Sequence, residues 1–491
     1  MPIFILLGLL SLALLGLFTP ASRAESAAVI ITGGAFLFSL SAIFLPFPEG
    51  MGYGLQWSAE TYLFAAVICF ISLVIQAYSL RHLDGHRLKR RSFRYFLGLT
   101  LCLLIFNSAD HLLLIAAALG ACNFLLSRLI SHRRAWAASR SSGRIAWRHL
   151  GTGSLLLLIA TGLIYFTQGH LSLQQIGTFP TDTPWLPLAG ILLIIAALAQ
   201  SAIWPLHRWL IASANAPTPV SAFMHAGLVN GGALILYKFA PLTLQFEWSN
   251  TLLLVLGAFT AILGTTWMLV QSDVKRTLTC STMGQMGFMI MQCGLGLFPA
   301  AIAHMIWHGL FKASLFLSAG STIKAASNKS LRLQGPHAGP IFAFGLLCGL
   351  AGAYIFRLFT GAVGDLNSTY LMLLVFCGIT CAHAVMTILQ TRPSLGRALL
   401  AAGLGLLGAI GYGASVWSVE SQLAALPAPP LNTLHLAILV FFVLGWLLMI
   451  FRAYLPAVLS DRLLAPLYVR ALRDSQPERS TLTLQRGTYR M

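Results

Sequence analysis

Apolar stretches of about 20 residues recur along this chain from one end to the other, and they constrain its fold more than any other feature. Each stretch is long enough to cross the roughly 30 Å hydrocarbon core of a bilayer as an α-helix. Only 9% of the 491 residues are charged, against about 25% in soluble domains. The stretches also lack the alternation of a membrane β-barrel. We therefore predict an all-α, polytopic membrane helix bundle without a large soluble catalytic domain.

The positive residues are unevenly distributed among the loops between these stretches. Division into fifteen apolar segments predicts about 15 transmembrane helices, and 28 of the 31 lysines and arginines then fall on one side of the bilayer. The opposite loops hold acidic residues without lysine or arginine. By the positive-inside rule, we predict a bacterial cytoplasmic membrane protein with cytoplasmic basic loops and C-terminus, and an external N-terminus. The net charge of +18 is thus a topology signal and predicts no nucleic-acid binding.

The two terminal segments each allow two interpretations. The first 24 residues resemble a signal peptide, but they lack its basic start, and we predict that they form the first membrane helix. The basic tail at residues 457–491 either contacts membrane phospholipid or docks a partner protein.

No sequence pattern in the chain indicates a cofactor or a metal. The eight cysteines form no Cys-x-x-Cys pair, so zinc and iron–sulfur sites have no support. Gly403-Leu-Gly-Leu-Leu-Gly408 matches a dinucleotide-binding pattern by letter, but it lies within an apolar helix where that pattern needs a strand before it. We predict no cofactor, no metal and no catalysis in this chain.

Three polar residues interrupt one apolar segment at regular spacing. His304, His308 and Lys312 are four residues apart, which places them on one face of a helix over roughly 12 Å. Ionisable residues within the bilayer usually face an ion path, and imidazole can take up and release a proton near neutral pH. The alternatives are interhelical hydrogen bonds or a snorkelling lysine. Zinc binding is less favoured, because no acidic third ligand lies nearby.

A second polar cluster surrounds a proline within the seventh apolar segment. Pro205 removes a helical hydrogen bond, and Gln200 and His207 flank it. Broken helices at membrane depth occur where backbone lines a cavity. We therefore predict a broken helix with Gln200 and His207 near the break, and His225 in the helix that follows. A simple proline kink explains the break but not the polar residues around it.

Two stretches of the chain have weakly similar sequences. Cys381-Ala-His383 resembles Met224-His225-Ala226, so the fourth to eighth and ninth to thirteenth helices can be two inverted five-helix repeats. Lys238 and Arg357 also lie within apolar segments, and each is equally compatible with an ion path and with a structural role. The predicted division is 1–94 for N-terminal helices, 95–240 and 250–390 for the repeats, 396–456 for C-terminal helices, and 457–491 for the basic tail.

Several motifs in order resemble the proton-conducting antiporter-like superfamily, which includes subunit 5 (or L) of NADH-quinone oxidoreductase and the cation/proton antiporter subunits. The motifs are Trp204-Pro-Leu-His-Arg-Trp209, Pro217-Thr-Pro-Val-Ser-Ala222 with His225, Asp273-Val-Lys-Arg276, Ser281-Thr-Met-Gly-Gln285 and His308-Gly-Leu-Phe-Lys-Ala-Ser-Leu-Phe-Leu317. The resemblance implies two inverted repeats with broken seventh and twelfth helices. It places His225, His304, His308 and Lys312 on the family's ion-path positions.

Two departures from that pattern affect the first repeat. Respiratory members carry a glutamate on the fifth helix, where this chain reads Ala116-Ala-Ala-Leu-Gly120, and a lysine on the seventh, where it has Gln200. The first repeat thus lacks the acid–base pair of a full pumping half-channel, while the second keeps Lys312. We predict no counter-charge for Lys312 within the helices of this chain.

Within the superfamily, the sequence at residues 215–232 and 283–292 most resembles the DabB family of membrane subunits of two-component inorganic carbon transporters. This implies a subunit that conducts protons, or sodium ions, inward along Lys312, His308, His304, His225, His207 and Gln200. The flow would energise a cytoplasmic, zinc-binding partner of carbonic-anhydrase type resembling DabA, which carries out the chemistry. The alternatives are a proton-pumping subunit of a NADH-quinone-type oxidoreductase or cation/proton antiporter, and a scaffold with an inactive channel.

Overall fold

The computed structural model is almost entirely helical. It describes residues 2–20, 23–45, 49–133, 135–176, 183–320, 337–360, 368–390, 393–423, 429–451 and 465–482. The helices of the first half are α1 (Pro2–Gly16), α2 (Ala24–Phe44), α3 (Ala59–His82), α4 (Lys89–Ser108), α5 (Leu112–Ile130), α6 (Ala137–Gln168), α7 (Trp185–Gln200), α8 (Arg208–Ala212), α9 (Thr218–Ala226) and α10 (Gly231–Lys238). Those of the second half are α11 (Ala240–Thr243), α12 (Glu247–Val270), α13 (Val274–Gly294), α14 (Phe298–Ser318), α15 (Ala338–Thr360), α16 (Tyr370–Leu389), α17 (Leu395–Glu420), α18 (Thr433–Phe451) and α19 (Ala465–Asp474).

The chain is an all-α, multi-pass membrane protein, as its sequence predicts. Among the described residues, eleven helices are long and apolar enough to cross a membrane, while α1 and α7 are apolar but shorter. The count of fifteen spans and the two inverted repeats stay predictions. The predicted first helix is present as α1. Several charges used for the topology prediction lie outside the described residues: Arg134, Asp182, Lys324, Lys329, Arg332, Asp365, Arg392, Arg452, Arg462, Arg486 and Arg490.

In the described part of the chain, the β-strands form a short hairpin between α2 and α3. Strands β1 (Gly50–Gly52) and β2 (Leu55–Trp57) pair antiparallel, with Gly50 opposite Trp57. The two turn residues, Tyr53 and Gly54, have φ of 54° and 75°. Such left-handed conformations suit a two-residue hairpin turn, because its twist matches that of the strands.

The helices pack into two units. One contains residues 1–294, 304–323 and 471–491, and the other contains residues 295–303 and 324–470. In the first unit, Gly264 of α12 meets the backbone of Gly284 of α13, and a side chain at Gly264 would collide with that backbone. In the second unit, Gly349 of α15 faces Gly378 of α16 in the same way. Small residues let membrane helices approach closely enough for backbone contact.

The predicted break in the seventh segment is present. Helix α7 ends at Gln200 and α8 begins at Arg208, with a cis bond between Trp204 and Pro205. The resemblance also implied a broken twelfth helix, and this is wrong, because α15 runs continuously from Ala338 to Thr360. Its proline, Pro340, lies in the first turn, where a missing N–H costs no helical hydrogen bond.

A further interruption, which the sequence did not predict, separates α9 from α10. Helix α9 ends at Ala226, a short 3₁₀ turn spans Leu228–Asn230, and α10 begins at Gly231. Two breaks, one after α7 and one after α9, therefore lie in consecutive segments of the first unit.

Candidate ion path

Helix α14 carries the three spaced polar residues that the sequence singles out. His308 and Lys312 are buried, with 5% and 1% of their surfaces exposed, and His304 is half-buried. The ring centroids of His304 and His308 are 6.1 Å apart. The spacing thus places the three side chains in sequence along the helix, facing other helices and not the open surface. We call these three residues the α14 ladder.

His304 is held between two glutamines of α13. Its Nδ1 lies 3.0 Å from Oε1 of Gln292, and its Nε2 lies 2.9 Å from Oε1 of Gln285. An imidazolium donates to both oxygens, whereas a neutral imidazole needs one amide to rotate and present its NH₂ group. The site can therefore hold His304 in either protonation state by turning one amide.

Lys312 is the last residue of the α14 ladder, and its hydrogen-bond partners are uncharged. Its Nζ donates to the hydroxyl of Ser281 at 2.8 Å and to the carbonyl of Leu278 at 3.3 Å, both on α13. Within the described ranges, no carboxylate pairs with Lys312. A lysine ammonium in so little water is costly unless its charge is balanced or passed on.

His225 of α9 approaches the ladder from the side. Its ring stacks on Phe316 of α14, with centroids 4.3 Å apart and planes 13° apart, and its backbone is hydrogen-bonded by the ring of His308. Gly309 allows this approach, because a Cβ there would lie 2.7 Å from the carbonyl oxygen of Ala226. Both ring nitrogens of His225 and Nε2 of His308 are buried and have no protein partner among the described residues. Ordered water commonly satisfies such groups.

Gln200 joins the two helix breaks through uncharged groups. Its Oε1 accepts from Nδ2 of Asn123 at 2.9 Å, and its Nε2 donates to the carbonyl of Leu228 at 2.9 Å. Beside it, the hydroxyl of Ser201 donates to the carbonyl of Val229. An amide bridge therefore includes the position where the resemblance would place a lysine, and its second member, Asn123, follows the Ala116–Gly120 stretch where the glutamate would be.

A small cavity lies between this amide bridge and α14. It has a volume of about 60 Å³ and is bordered by Gln200, Asn230 and Met305. The rest of its wall is formed by apolar side chains, among them Phe64, Ile68, Leu103, Phe106 and Phe223. The predicted polar axis is thus interrupted by an apolar gap between Gln200 and α14.

His207 and Lys238 have partners of their own, away from the α14 ladder. The His207 ring tilts against Trp267 at 5.2 Å and bonds to the backbone of Pro205. The Lys238 Nζ donates to the carbonyls of Asn107 at 2.7 Å and Ala109 at 3.4 Å, at the end of α4. A cation at a helix C-terminus is stabilised by the unpaired carbonyls there, which gives Lys238 a structural role.

Lys238 is also close to a carboxylate that the sequence prediction overlooked. Glu60, in the first turn of α3, accepts a hydrogen bond from the Tyr237 hydroxyl at 3.0 Å and interacts electrostatically with Lys238. Glu60 lies at the start of a span, and that position made it resemble an ordinary loop acid.

The two remaining predicted residues lie in the second unit. Arg357 is half-buried on α15. His383 is half-buried on α16, where its Nδ1 accepts a hydrogen bond of 3.4 Å from the Trp446 indole of α18. The structure therefore brings together His304, His308, Lys312 and His225, and it adds Gln285, Gln292 and Ser281 as partners that spacing alone did not indicate.

Comparison with known proteins agrees with this architecture. The chain is 39% identical over 279 residues to a probable inorganic carbon transporter subunit DabB of Bacillus anthracis, covering 55% of this chain and 54% of that protein. It is 37% identical over 271 residues to the probable subunit DabB1 of Halothiobacillus neapolitanus, covering 53% and 48%. It is also 31% identical over 293 residues to NADH-ubiquinone oxidoreductase chain 5 of Cryphonectria parasitica, covering 58% and 44%. The chain spans about half the length of these curated relatives.

Solved structures share the fold at lower identity. An Mrp complex from a Dietzia species matches 97% of this chain and 52% of its own chain, with a TM-score of 0.58 and 24% identity. An archaeal membrane-bound sulfane sulfur reductase matches 96% of both chains, with a TM-score of 0.59 and 16% identity. The family model for the transmembrane region of NADH:quinone oxidoreductases and Mrp antiporters matches residues 109–386, which include α5 to α14 and the whole α14 ladder. This chain belongs to the NADH:quinone oxidoreductase/Mrp antiporter transmembrane family.

Proposed function

We propose that this chain is the cation-conducting membrane subunit of an inorganic carbon uptake complex and that protons move along the α14 ladder. The observation that carries the proposal is the row of His304, His308 and Lys312, which are largely withdrawn from the surface and contact polar groups of α13. The carbon uptake part is supported by relatives that are 33% to 39% identical and are named probable inorganic carbon transporter subunits.

Each step of the path has a chemical basis in these residues. His304 takes up a proton while one glutamine amide turns to keep its hydrogen bond. The ring centroids of His304 and His308 are 6.1 Å apart and both His304 nitrogens are bonded to glutamines, so one glutamine must first swing away and a water in its place carries the proton to Nε2 of His308. Lys312 then receives it and holds it against the hydroxyl of Ser281.

The partner supplies the chemistry in this proposal. Inward flow of protons, or of sodium ions, energises a zinc-binding, DabA-like cytoplasmic subunit of carbonic-anhydrase type that hydrates carbon dioxide to bicarbonate. This chain is itself non-catalytic and lies in the bacterial inner membrane with its basic loops in the cytoplasm. In the described ranges no cluster of three or more histidine, cysteine or acidic residues could hold a metal ion, and the proposal needs none here.

Proton flux into liposomes tests the role of Lys312. We expect the purified chain, with its partner, to acidify liposomes under an imposed pH gradient, and Lys312→Met to reduce the rate at least about tenfold, because it removes the proton acceptor at the end of the α14 ladder. Lys89→Met is the matched control, since Lys89 lies in the first turn of α4, away from the α14 ladder, and pairs with Asp84. Equal rates for the three proteins would refute conduction through the ladder.

A redox-driven pump subunit is the second candidate. It is favoured by the 31% identity to chain 5 of the NADH-ubiquinone oxidoreductase of Cryphonectria parasitica. The amide bridge of Gln200 and Asn123 argues against it, because neutral amides cannot exchange a proton as an acid–base pair does.

A further inference from the structure

A larger cavity lies apart from the α14 ladder, at the end of the first unit where the basic loops emerge. Its volume is about 340 Å³. Its polar lining residues come from four separate parts of the chain, namely the α3–α4 loop region, the α5–α6 loop, the loop before α9, and the start of α13. These residues are His82, His86, Ser92, His132, Arg133, Asn215, Thr218 and Lys275. We call this space the basic cavity.

The charge of the basic cavity is positive. It is lined by an arginine, a lysine and three histidines, and none of its lining residues is acidic. The carboxylates of adjoining loops are engaged elsewhere: Asp84 pairs with Lys89 at 2.8 Å, and Asp273 accepts from the backbone N–H of Arg276 at 2.9 Å. Asp273 acts on Lys275 electrostatically without lining the cavity.

The cationic groups are positioned by the fold. Arg133 stacks over the ring of Trp136 at 4.4 Å, which fixes the plane of its guanidinium. Lys275 donates one hydrogen bond of 2.7 Å to the carbonyl of Ala216, and an ammonium has three protons to donate. Helix α9 starts at the wall of the cavity without a side-chain cap.

One half-buried imidazole in the wall carries a ring nitrogen that has no partner in the described part of the chain. Nδ1 of His132 is buried and has no hydrogen-bond partner among the described residues. A buried polar atom without a partner is uncommon and costly in proteins, unless it serves a ligand or water. In the basic cavity it adds a hydrogen-bonding group to those of Arg133 and Lys275.

We propose that the basic cavity binds a small planar oxyanion of the bicarbonate and carboxylate class. A planar guanidinium matches two oxygens of such an anion side by side, and the ammonium adds a charge-assisted hydrogen bond. The imidazole of His86 can donate through Nε2 to the same oxygens, because its Nδ1 accepts from the backbone N–H of Leu88. This site goes beyond the proposed function, because its occupation depends neither on ion conduction nor on a partner.

Direct binding measurements test the site. ¹³C-formate and ¹³C-bicarbonate are titrated into the full chain in nanodiscs of zwitterionic lipid at constant ionic strength, and binding is followed by NMR line broadening. We expect saturable binding that weakens about tenfold or more in Arg133→Ala and in Lys275→Met, because each removes a hydrogen bond to a charged group. Arg144→Ala is the control, since Arg144 is exposed on α6 and does not line the cavity.

Three results would overturn the proposal. These are equal broadening in all four proteins, equal competition by chloride, and displacement of formate by anionic lipid in the nanodisc, which would assign the cavity to a phospholipid headgroup. Arg133→Lys refines the test, because it keeps the charge and loses the planar fork. If Lys275→Met does not purify as a folded protein, Arg133→Ala alone decides, and proton flux is not used as a readout.

Discussion

His132, in the loop after α5, stays neutral well below the ordinary range for histidine. Burial is the main cause, followed by the positive charge of Arg133 and by His86, and Lys275 adds a smaller effect in the same direction. Together they lower the pKa of His132 from 6.5 to about 4, against a weaker opposing hydrogen bond that the His132 ring donates to the backbone carbonyl of Ile130.

The stability of the chain should therefore depend on pH through His132. Between pH 6.5 and about 4, the unfolded chain protonates this imidazole and the folded chain does not, so stability falls as the pH falls through that window. We expect thermal unfolding of the purified chain to shift to lower temperature from pH 7 to pH 5, and His132→Gln to reduce that shift. An identical shift in the variant would show that His132 is protonated normally.

Residue spacing predicts part of the candidate site and leaves its partners undetermined. The intervals among His304, His308 and Lys312 fix one helical face, whatever surrounds the helix. Gln285 and Gln292 come from α13, and their pairing with His304 depends on how two helices are rotated against each other. Asn123 gives a faint signal, as an isolated amide in an apolar helix, but nothing in the sequence indicates that it meets Gln200.

At the scale of elements, the contact between α14 and α9 depends on one missing side chain. Gly309 lies against the carbonyl of Ala226, at the end of α9 and one residue after His225. A methyl group here must push the two helices apart, because the contacting atom belongs to the backbone and cannot rotate away. Gly309 thus determines how closely His225 approaches the α14 ladder.

Substitution of Gly309 tests this contact. We expect Gly309→Ala to destabilise the chain by about 1–3 kcal/mol, as overpacking does, and to lower proton flux by separating His225 from His308. Gly162→Ala is the matched control, since Gly162 lies in α6 with nothing near its missing Cβ, and there alanine should be neutral or stabilising. Thermal unfolding and liposome flux of the two variants give the comparison. A destabilised Gly162→Ala with an unaffected Gly309→Ala would contradict the argument.

The helix breaks were predictable to different degrees. Pro205 predicts the first break, because a proline cannot donate the helical hydrogen bond. The second, after His225, contains no proline, and Gly227 and the paired Gly231 and Gly232 are equally common in continuous membrane helices. It becomes understandable only with Gln200 and Ser201 in place, since these side chains bind the carbonyls of Leu228 and Val229 that the break exposes.

For the whole molecule, hydropathy predicts the all-α membrane fold because a bilayer admits few alternatives. Every backbone group in hydrocarbon must be paired within its own segment, so an apolar run of sufficient length becomes a helix. The same argument cannot define how helices group. The separation of the α15–α18 region from the first unit depends on which faces pack together, and glycine contacts such as Gly349 with Gly378 are invisible in a hydropathy profile.

The whole assembly can be tested by its composition. Affinity purification of this chain from its native membrane in mild detergent, with mass spectrometry and metal analysis, should yield a soluble partner carrying about one zinc per chain. The control is the same purification from membranes in which the chain carries no tag. Recovery of flavin-bearing and iron–sulfur subunits would instead favour the redox-driven pump, and would leave conduction through the α14 ladder standing.

The neutral bridge between Gln200 and Asn123 has a consequence for how the protein responds to membrane voltage. A transmembrane potential does work only on charge that moves through it, about 2.3 kcal/mol per elementary charge for each 100 mV. Two amides carry no net charge in any protonation state available to them near neutral pH, so the electric field has nothing to displace in the amide bridge itself. Along α14, by contrast, the field acts on every proton that the ladder holds.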